Sequence, residues 1–225
     1  MCIITHLDVS TNRGESHPPY PVVLAPESAS IDWLESQHLP QGIELAIAGR
    51  IRPYKNYQWL LRALSMTRDV PMRVVVAGHP DHAETVAALG TYAAQDERLI
   101  VYAKKMTPTE YDRVISHADF AVLAQPSPWS SGSAVHAASR ETALIGYLPA
   151  MFDVEDEQKS LLGVFAENDS AEAFVGAMRT VCQLSPSSIK AMGHNARKIL
   201  CDSMLVAATN GHAELYERAL ERNRC

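Results

Sequence analysis

From residue 43 onward, the apolar positions of the chain switch repeatedly between two periods. Short runs that are apolar at nearly every position (IELAIAG, MRVVVAG, RLIVYA and DFAVLA) alternate with longer stretches in which apolar residues recur every three or four positions (NYQWLLRALSM, DHAETVAALGTYAAQ and PTEYDRVISHA). A continuous apolar run marks a strand covered on both faces, and the 3.6-residue period marks a helix that does the covering. Alternation of the two with short connections predicts βαβ units and a parallel sheet with helices on both faces. SGSAVHAASRE continues the series as a helix opened by small residues, and ALIGYLPAMF contains a further strand. The acidic run DVEDEQK, from Asp153, then reads as a solvated loop. Beyond it the rhythm fades into helical stretches, SAEAFVGAMRTVCQL, SPSSIKAMGHNARKIL and one around VAATNGHAELYERALERN. Ser185 before Pro186 has the form of an N-cap with proline at the first helical position.

The predicted fold class is α/β, a single Rossmann-like doubly wound parallel sheet with a helical C-terminal tail, occupying residues 41–225. Residues 1–40 read differently: ESHPPYPVVLAPESAS is rich in proline and serine, which predicts an extended N-terminal arm with one short strand near Cys2. With 47% hydrophobic and 20% charged residues the chain has the composition of a globular protein. Its formal net charge of −6 argues against a general grip on nucleic acid, which needs a basic face. Cys2, Cys182, Cys201 and Cys225 form no CxxC pair, so free thiols in a reducing, cytoplasmic compartment are expected. The absence of an apolar run of roughly 20 residues leaves at most peripheral membrane contact as the expectation. No HxxxH or HxH pattern predicts a metal site.

The chemistry concentrates at residues 47–64, IAGRIRPYKNYQWLLRAL, where an apolar strand passes through a basic turn into an amphipathic helix. Arg50, Arg52 and Lys55 gather there, although cations at a helix start oppose the macrodipole. A salt-bridge network would account for them, and so would an anionic ligand in the crevice beyond the strand ends, where helix N-termini present free N–H groups. His79 follows the second strand and Lys104 and Lys105 the third, so all three lie at successive strand ends. Ser131, Gly132 and Ser133 open the next helix, either as a plain serine N-cap or as a cradle for phosphate oxygens, with Trp129 placed at the cleft mouth.

Taken in order, GRIRPYKNYQWLLRAL, VVVAGHPD, RLIVYAKKMTPTEYDRVISHADFAVLAQPS and SGS resemble the donor-binding, C-terminal half of GT-B glycosyltransferases. They are most similar to glycosyltransferase family 4 (group 1), and within it to an exopolysaccharide-type subgroup, over residues 43–200. The resemblance implies that Arg50 and Lys55 hold the diphosphate of a nucleotide sugar and stabilise the departing nucleotide. It places Gly49, Arg52, His79, Lys104, Ser131, Gly132, Ser133 and His136 around the same ligand. The family carries two glutamates in an E-x7-E pattern, and two registers compete for it here. Counting back from Gly146 makes Glu141 the second glutamate, which holds the ribose, and puts Ser133 in place of the first. Aligning on Ser-Gly-Ser instead puts His136 at the second position and Glu141 where a glycine normally ends the helix.

The implied activity is transfer of a hexose from a UDP- or GDP-linked sugar, with retention and without a metal or other cofactor, by a glycosyltransferase or its donor-binding subunit. About forty residues before residue 43 are too few for an acceptor domain. That leaves a separate acceptor-domain polypeptide or a homodimer to supply one. The alternative is a truncated pseudo-enzyme that serves as a nucleotide-sugar-binding or protein-interaction module. A dinucleotide enzyme is disfavoured by the lack of GxGxxG after any strand.

Overall fold

The computed structural model describes residues 42–126, 130–150, 152 and 154–202. The arm, Trp129, Asp153 and the last helical stretch lie outside the described residues. Six strands form one sheet: β1 (Ile43–Ala48), β2 (Met72–Ala77), β3 (Leu99–Tyr102), β4 (Phe120–Leu123), β5 (Ala143–Gly146) and β6 (Gly163–Phe165). Their order is β3-β2-β1-β4-β5-β6, and every neighbouring pair is parallel. The connecting helices are α1 (Tyr57–Met66), α2 (Ala83–Ala93), α3 (Pro108–His117), α4 (Gly132–Ser139), α5 (Asp156–Leu162), α6 (Ala171–Val181) and α7 (Pro186–Ala196), with a π-helical turn at Arg197–Asp202. This is the doubly wound α/β sheet that the alternating pattern predicts. Among the described residues no helix is long and apolar enough to cross a membrane.

Both faces of the sheet are buried, which is why its strands are apolar at nearly every position; Glu44 of β1 and Arg73 of β2, both buried, pair with each other. Leu45, Ile47, Val74, Val76, Phe120 and Ile145 share one core with Leu60 and Leu64 of α1 and Phe174 and Met178 of α6. The alternate residues Ala46, Ala48, Val75, Ala77 and Ala121 share the other with Val114 and Ile115 of α3 and Ala134 and Ala138 of α4. Alanines in this second layer let α4 sit close to β4 and β5. Local chemistry starts the helices where the sheet needs them. Thr107 and Glu110 form a reciprocal capping box at α3, Ser131 caps α4, and Ser185 caps α7 with Pro186 first in the helix.

The acidic segment differs from its expected loop. From Asp156 it is helix α5, with Asp156 and Glu157 in the first turn where the macrodipole favours acid. It leads into β6, a strand of three residues whose Gly163 runs so close to β5 that a Cβ would collide with the Leu144 carbonyl. The strand is too short to leave a periodic signal.

Candidate functional site

The strand order reverses between β1 and β4, which are neighbours 75 or so residues apart in sequence, and their carboxyl ends open a crevice there. One wall is Ala48 with Tyr54 and Lys55, from a 3-10 turn over Pro53–Lys55; the other is Ala124 and Gln125 with the start of α4 at Ser131, Gly132 and Ser133. Its volume is about 140 Å³. That is below the roughly 300–1,000 Å³ of complete small-molecule pockets, as a single wall of a larger site would be. Asn56, in the left-handed region at φ 55°, turns the chain into α1, and its Nδ2 donates to the Ala124 carbonyl at 3.2 Å. The two walls are thereby strapped together.

Lys55 defines the electrostatics of the crevice. Its Nζ donates to the Ala48 carbonyl at 2.8 Å and lies 3.2 Å from where a Cβ on Gly49 would stand. Gly49 has φ 110°, a left-handed conformation that only glycine adopts readily, and its hydrogen side makes room for the ammonium. Among the described residues Lys55 has no acidic partner, and burial pushes its pKa down to about 8. Facing it, the first N–H groups of α4 carry the positive end of the helix dipole. Ser131 Oγ accepts from the Ala134 N–H at 3.1 Å, and a Cβ on Gly132 would meet nothing within 4 Å. A desolvated cation opposite a helix N-terminus is suited to an anion.

The other basic candidates converge elsewhere. Arg50 and Arg52 lie two residues apart on extended chain and so point the same way, with Ile51 between them fully buried on the opposite side. Both donate through Nε to Asp81 Oδ2, Arg52 at 2.6 Å, and His79 Nδ1 lies 2.7 Å from Asp81 Oδ1. The hydrogen bond from Arg50 does most to hold the Asp81 carboxyl down at about 2. Arg50, Arg52 and His79 therefore form a cluster on the β2 side of β1, outside the lining of the crevice. Lys104 stands at the end of β3 with Nζ 5.6 Å above the Tyr102 ring, two strands from the switch point.

His136 turns toward α3. Its Nε2 pairs with Asp112 Oδ1, its ring meets Tyr111 edge-on with centroids 4.7 Å apart, and Asp112 also accepts from Arg140 at 2.8 and 3.0 Å. Burial pushes the His136 pKa down against the pull of Asp112. Tyr111 connects this cluster to the crevice, since its phenol is hydrogen-bonded to Ser133 and its ring edge lies 3.5 Å from the Gly49 Cβ position.

Glu141 calls for a correction to the first register. Helix α4 runs away from the crevice for about 12 Å at 1.5 Å per residue, and Glu141 lies past its far end. There it pairs with Arg197 at 3.4 Å. Its backbone has φ 58°, the left-handed conformation of a helix-ending glycine, which fits the second register. Glu141→Gly is therefore expected to stabilise the protein by about 0.5–1 kcal/mol in urea denaturation while leaving any ligand affinity unchanged. Destabilisation with loss of binding would restore the first register.

Sequence reasoning missed Asp81, Asn56, Tyr111 and Asp112. Asp81 reaches Arg50 and Arg52, and Asp112 reaches His136 and Arg140, across 24 to 31 residues of sequence. A second, larger groove of about 370 Å³ lies beyond β5 and β6, beside Tyr147, Phe165, Glu167 and Lys159. Lys159 is paired with Asp156, so this groove holds no uncompensated cation of the Lys55 kind. Among the described residues no three His, Cys, Asp or Glu side chains are grouped as a metal site requires.

No protein-family model and no curated protein matches the sequence. Solved structures match its fold. A glycosyltransferase from Rickettsia africae ESF-5 superposes with a TM-score of 0.66 at 15% identity, covering 85% of this chain and 53% of that one. The C-terminal domain of a group 1 family glycosyl transferase, LpcC of Francisella tularensis, gives 0.58 at 20% identity, covering 80% and 93%. HepE from Anabaena, in complex with UDP-glucose, gives 0.62 at 13% identity, covering 78% and 49%. The fold is that of one half of a GT-B glycosyltransferase, and the chain spans about half the length of the Rickettsia and Anabaena proteins.

Proposed function

We propose that the chain is the donor-binding part of a glycosyltransferase that transfers a hexose from a nucleoside-diphosphate sugar, with retention of configuration and without a metal. The observation that carries this reading is Lys55, a desolvated ammonium without an acidic partner among the described residues, facing the start of α4 at the switch point. In this reading Lys55, the first N–H groups of α4 and the hydroxyls of Ser131 and Ser133 take the diphosphate. The base extends toward Tyr102 and Lys104 at the end of β3. Transfer breaks the bond between the anomeric carbon and the β-phosphate oxygen, and the electron pair leaves with the nucleoside diphosphate. Fixed cations in a partly dry cleft stabilise the charge that develops on it. The UDP-glucose held by HepE makes UDP the first nucleotide to try, with GDP next. A second polypeptide or a second copy of the chain would supply the acceptor wall, and the setting would be cytoplasmic.

One observation favours a second reading, a binding module without transferase activity: among the described residues no aspartate or glutamate lines the crevice, so none of them offers a carboxylate there to sugar hydroxyls. A thermal-shift screen of the full chain with UDP, UDP-glucose, GDP and GDP-mannose, followed by assays of donor hydrolysis and transfer, separates the two. Saturation at a hundred times Kd corresponds to about 2.7 kcal/mol of added stability, several degrees of melting temperature. A shift accompanied by turnover is expected for the transferase. A shift without turnover, even beside candidate acceptor chains, would establish the module, and no shift with any nucleotide would remove both.

A further inference from the structure

Three side chains meet at Asp81, while the crevice beside them holds the Lys55 ammonium, which has no acidic partner among the described residues. Arg50 follows Gly49 directly, and Gly49 borders Lys55 Nζ, so the guanidinium that stands next to the crevice in sequence is turned away from it by a carboxylate. We infer that Asp81 competes with the donor for Arg50: it holds that guanidinium in the free protein, and an anionic ligand takes Arg50 over by displacing it. This rests on the reading of the crevice as a diphosphate site.

The geometry makes the exchange easy. The Arg50 side chain is 62% exposed, and Asp81 engages only its Nε; among the described residues neither Arg50 nor Arg52 has another hydrogen-bond partner. When Arg50 departs, Asp81 is not orphaned. Arg52 at 2.6 Å and His79 at 2.7 Å still satisfy it, and two like charges no longer share one carboxylate oxygen. Arg50 gives up an ion pair in which its own side chain stands mostly in solvent for a charge-assisted hydrogen bond to phosphate in a drier place. The backbone stays still. Gly49 N–H donates to the Ala77 carbonyl and Ile51 N–H to the His79 carbonyl at 2.8 Å, which fixes the two loops against each other so that only a side chain moves.

The test is calorimetric titration of the full chain with UDP, and with GDP and ADP in parallel, for wild type, Asp81→Asn, Arg50→Ala and the double variant at one ionic strength. Asp81→Asn is expected to tighten UDP binding roughly fivefold, and the gain is expected to fall below about twofold in the Arg50→Ala background. Weaker or unchanged binding in Asp81→Asn would overturn the inference, and so would a gain that persists without Arg50, which would show only the removal of a distant negative charge. If Asp81→Asn fails to fold, the Arg50 Nε–H resonance of the wild type, assigned by its loss in Arg50→Ala, decides the same question: it moves on addition of UDP, or the exchange does not occur. Wild-type binding that is abolished by Lys55→Ala yet indifferent to Asp81 would leave the diphosphate site standing and remove this inference alone. No binding of any nucleotide by any of the proteins would remove the site and the inference together.

Discussion

Lys55→Ala is expected to weaken binding of UDP or its sugar conjugates roughly a hundredfold, about 3 kcal/mol, and to leave the free protein at least as stable as before. The two halves of this expectation have one cause. Lys55 Nζ donates to the Ala48 carbonyl and, among the described residues, meets no acidic group, and its pKa of about 8, against an ordinary 10.5, is the sign of a charge held where it is not at ease. A folded pKa below the unfolded one means that the protonated form opposes folding, so near pH 7 removing the ammonium relieves the fold. The same partial burial makes the ammonium strong toward an incoming phosphate, because among the described residues no carboxylate has to be displaced from it. Function and stability therefore move in opposite directions, as they do at sites held in an unfavourable state for a ligand. Titration calorimetry and thermal unfolding of the same preparation decide the matter. Affinity within threefold of wild type would deny Lys55 its role, and a large drop in melting temperature would mark it as structural.

The sheet was legible because its strands are covered on both faces. Residues 43–48 and 72–77 are buried at almost every position, and such runs read as strands without help from their neighbours. Strand β6 was not legible. At three residues, two of them only partly buried, it takes its conformation from pairing with β5 rather than from its own composition. In the site, the basic turn stood out, but the sequence could not divide its three cations. That division depends on Asp81, which reaches Arg50 and Arg52 only because β1 and β2 are neighbours and place the loops beyond them in contact. The adjacency of β1 and β2 follows from the predicted topology, so an acid just past the second strand was a signal available and unused. The ambiguity at Glu141 had a different origin. Both registers were consistent with the residue types, and only the backbone angle at the end of α4 separates a helical glutamate from one standing in a glycine's place. Tyr111 and Asp112 lie in the amphipathic α3, whose sequence gives no sign that it meets His136 of α4 and Arg140 just past the end of that helix.

Affinity for UDP is expected to be flat between about pH 7 and 7.5 and then to fall, approaching a tenfold loss at pH 9 relative to pH 7. In that flat range Lys55, below its pKa of about 8, is charged in both the free and the bound protein, and the terminal phosphate of UDP, with a second pKa of about 6, is already ionised. In the complex the diphosphate raises that pKa, so above pH 8 binding must first return a proton to the amine, and each further unit costs about another factor of ten until the raised value is reached. The perturbed groups near the crevice lie outside this window: burial moves the Tyr111 phenol up from its ordinary value of 10.0 and the His136 imidazole down from 6.5. Lys55→Arg supplies the control. A guanidinium keeps its charge throughout, so that variant, provided it still binds, should show no decline. Calorimetry at pH 8.5 in two buffers of different ionisation enthalpy should register proton uptake by the wild type and none by the variant. The stability of the free protein should run the other way over the same range. Between pH 8 and 10.5 the unfolded chain holds the Lys55 proton that the folded chain has released, so this group's contribution to stability rises with pH just as the affinity declines. A flat binding profile together with a flat stability contribution would place the ammonium in solvent. A flat binding profile with the stability trend intact would place it inside the protein but away from the ligand.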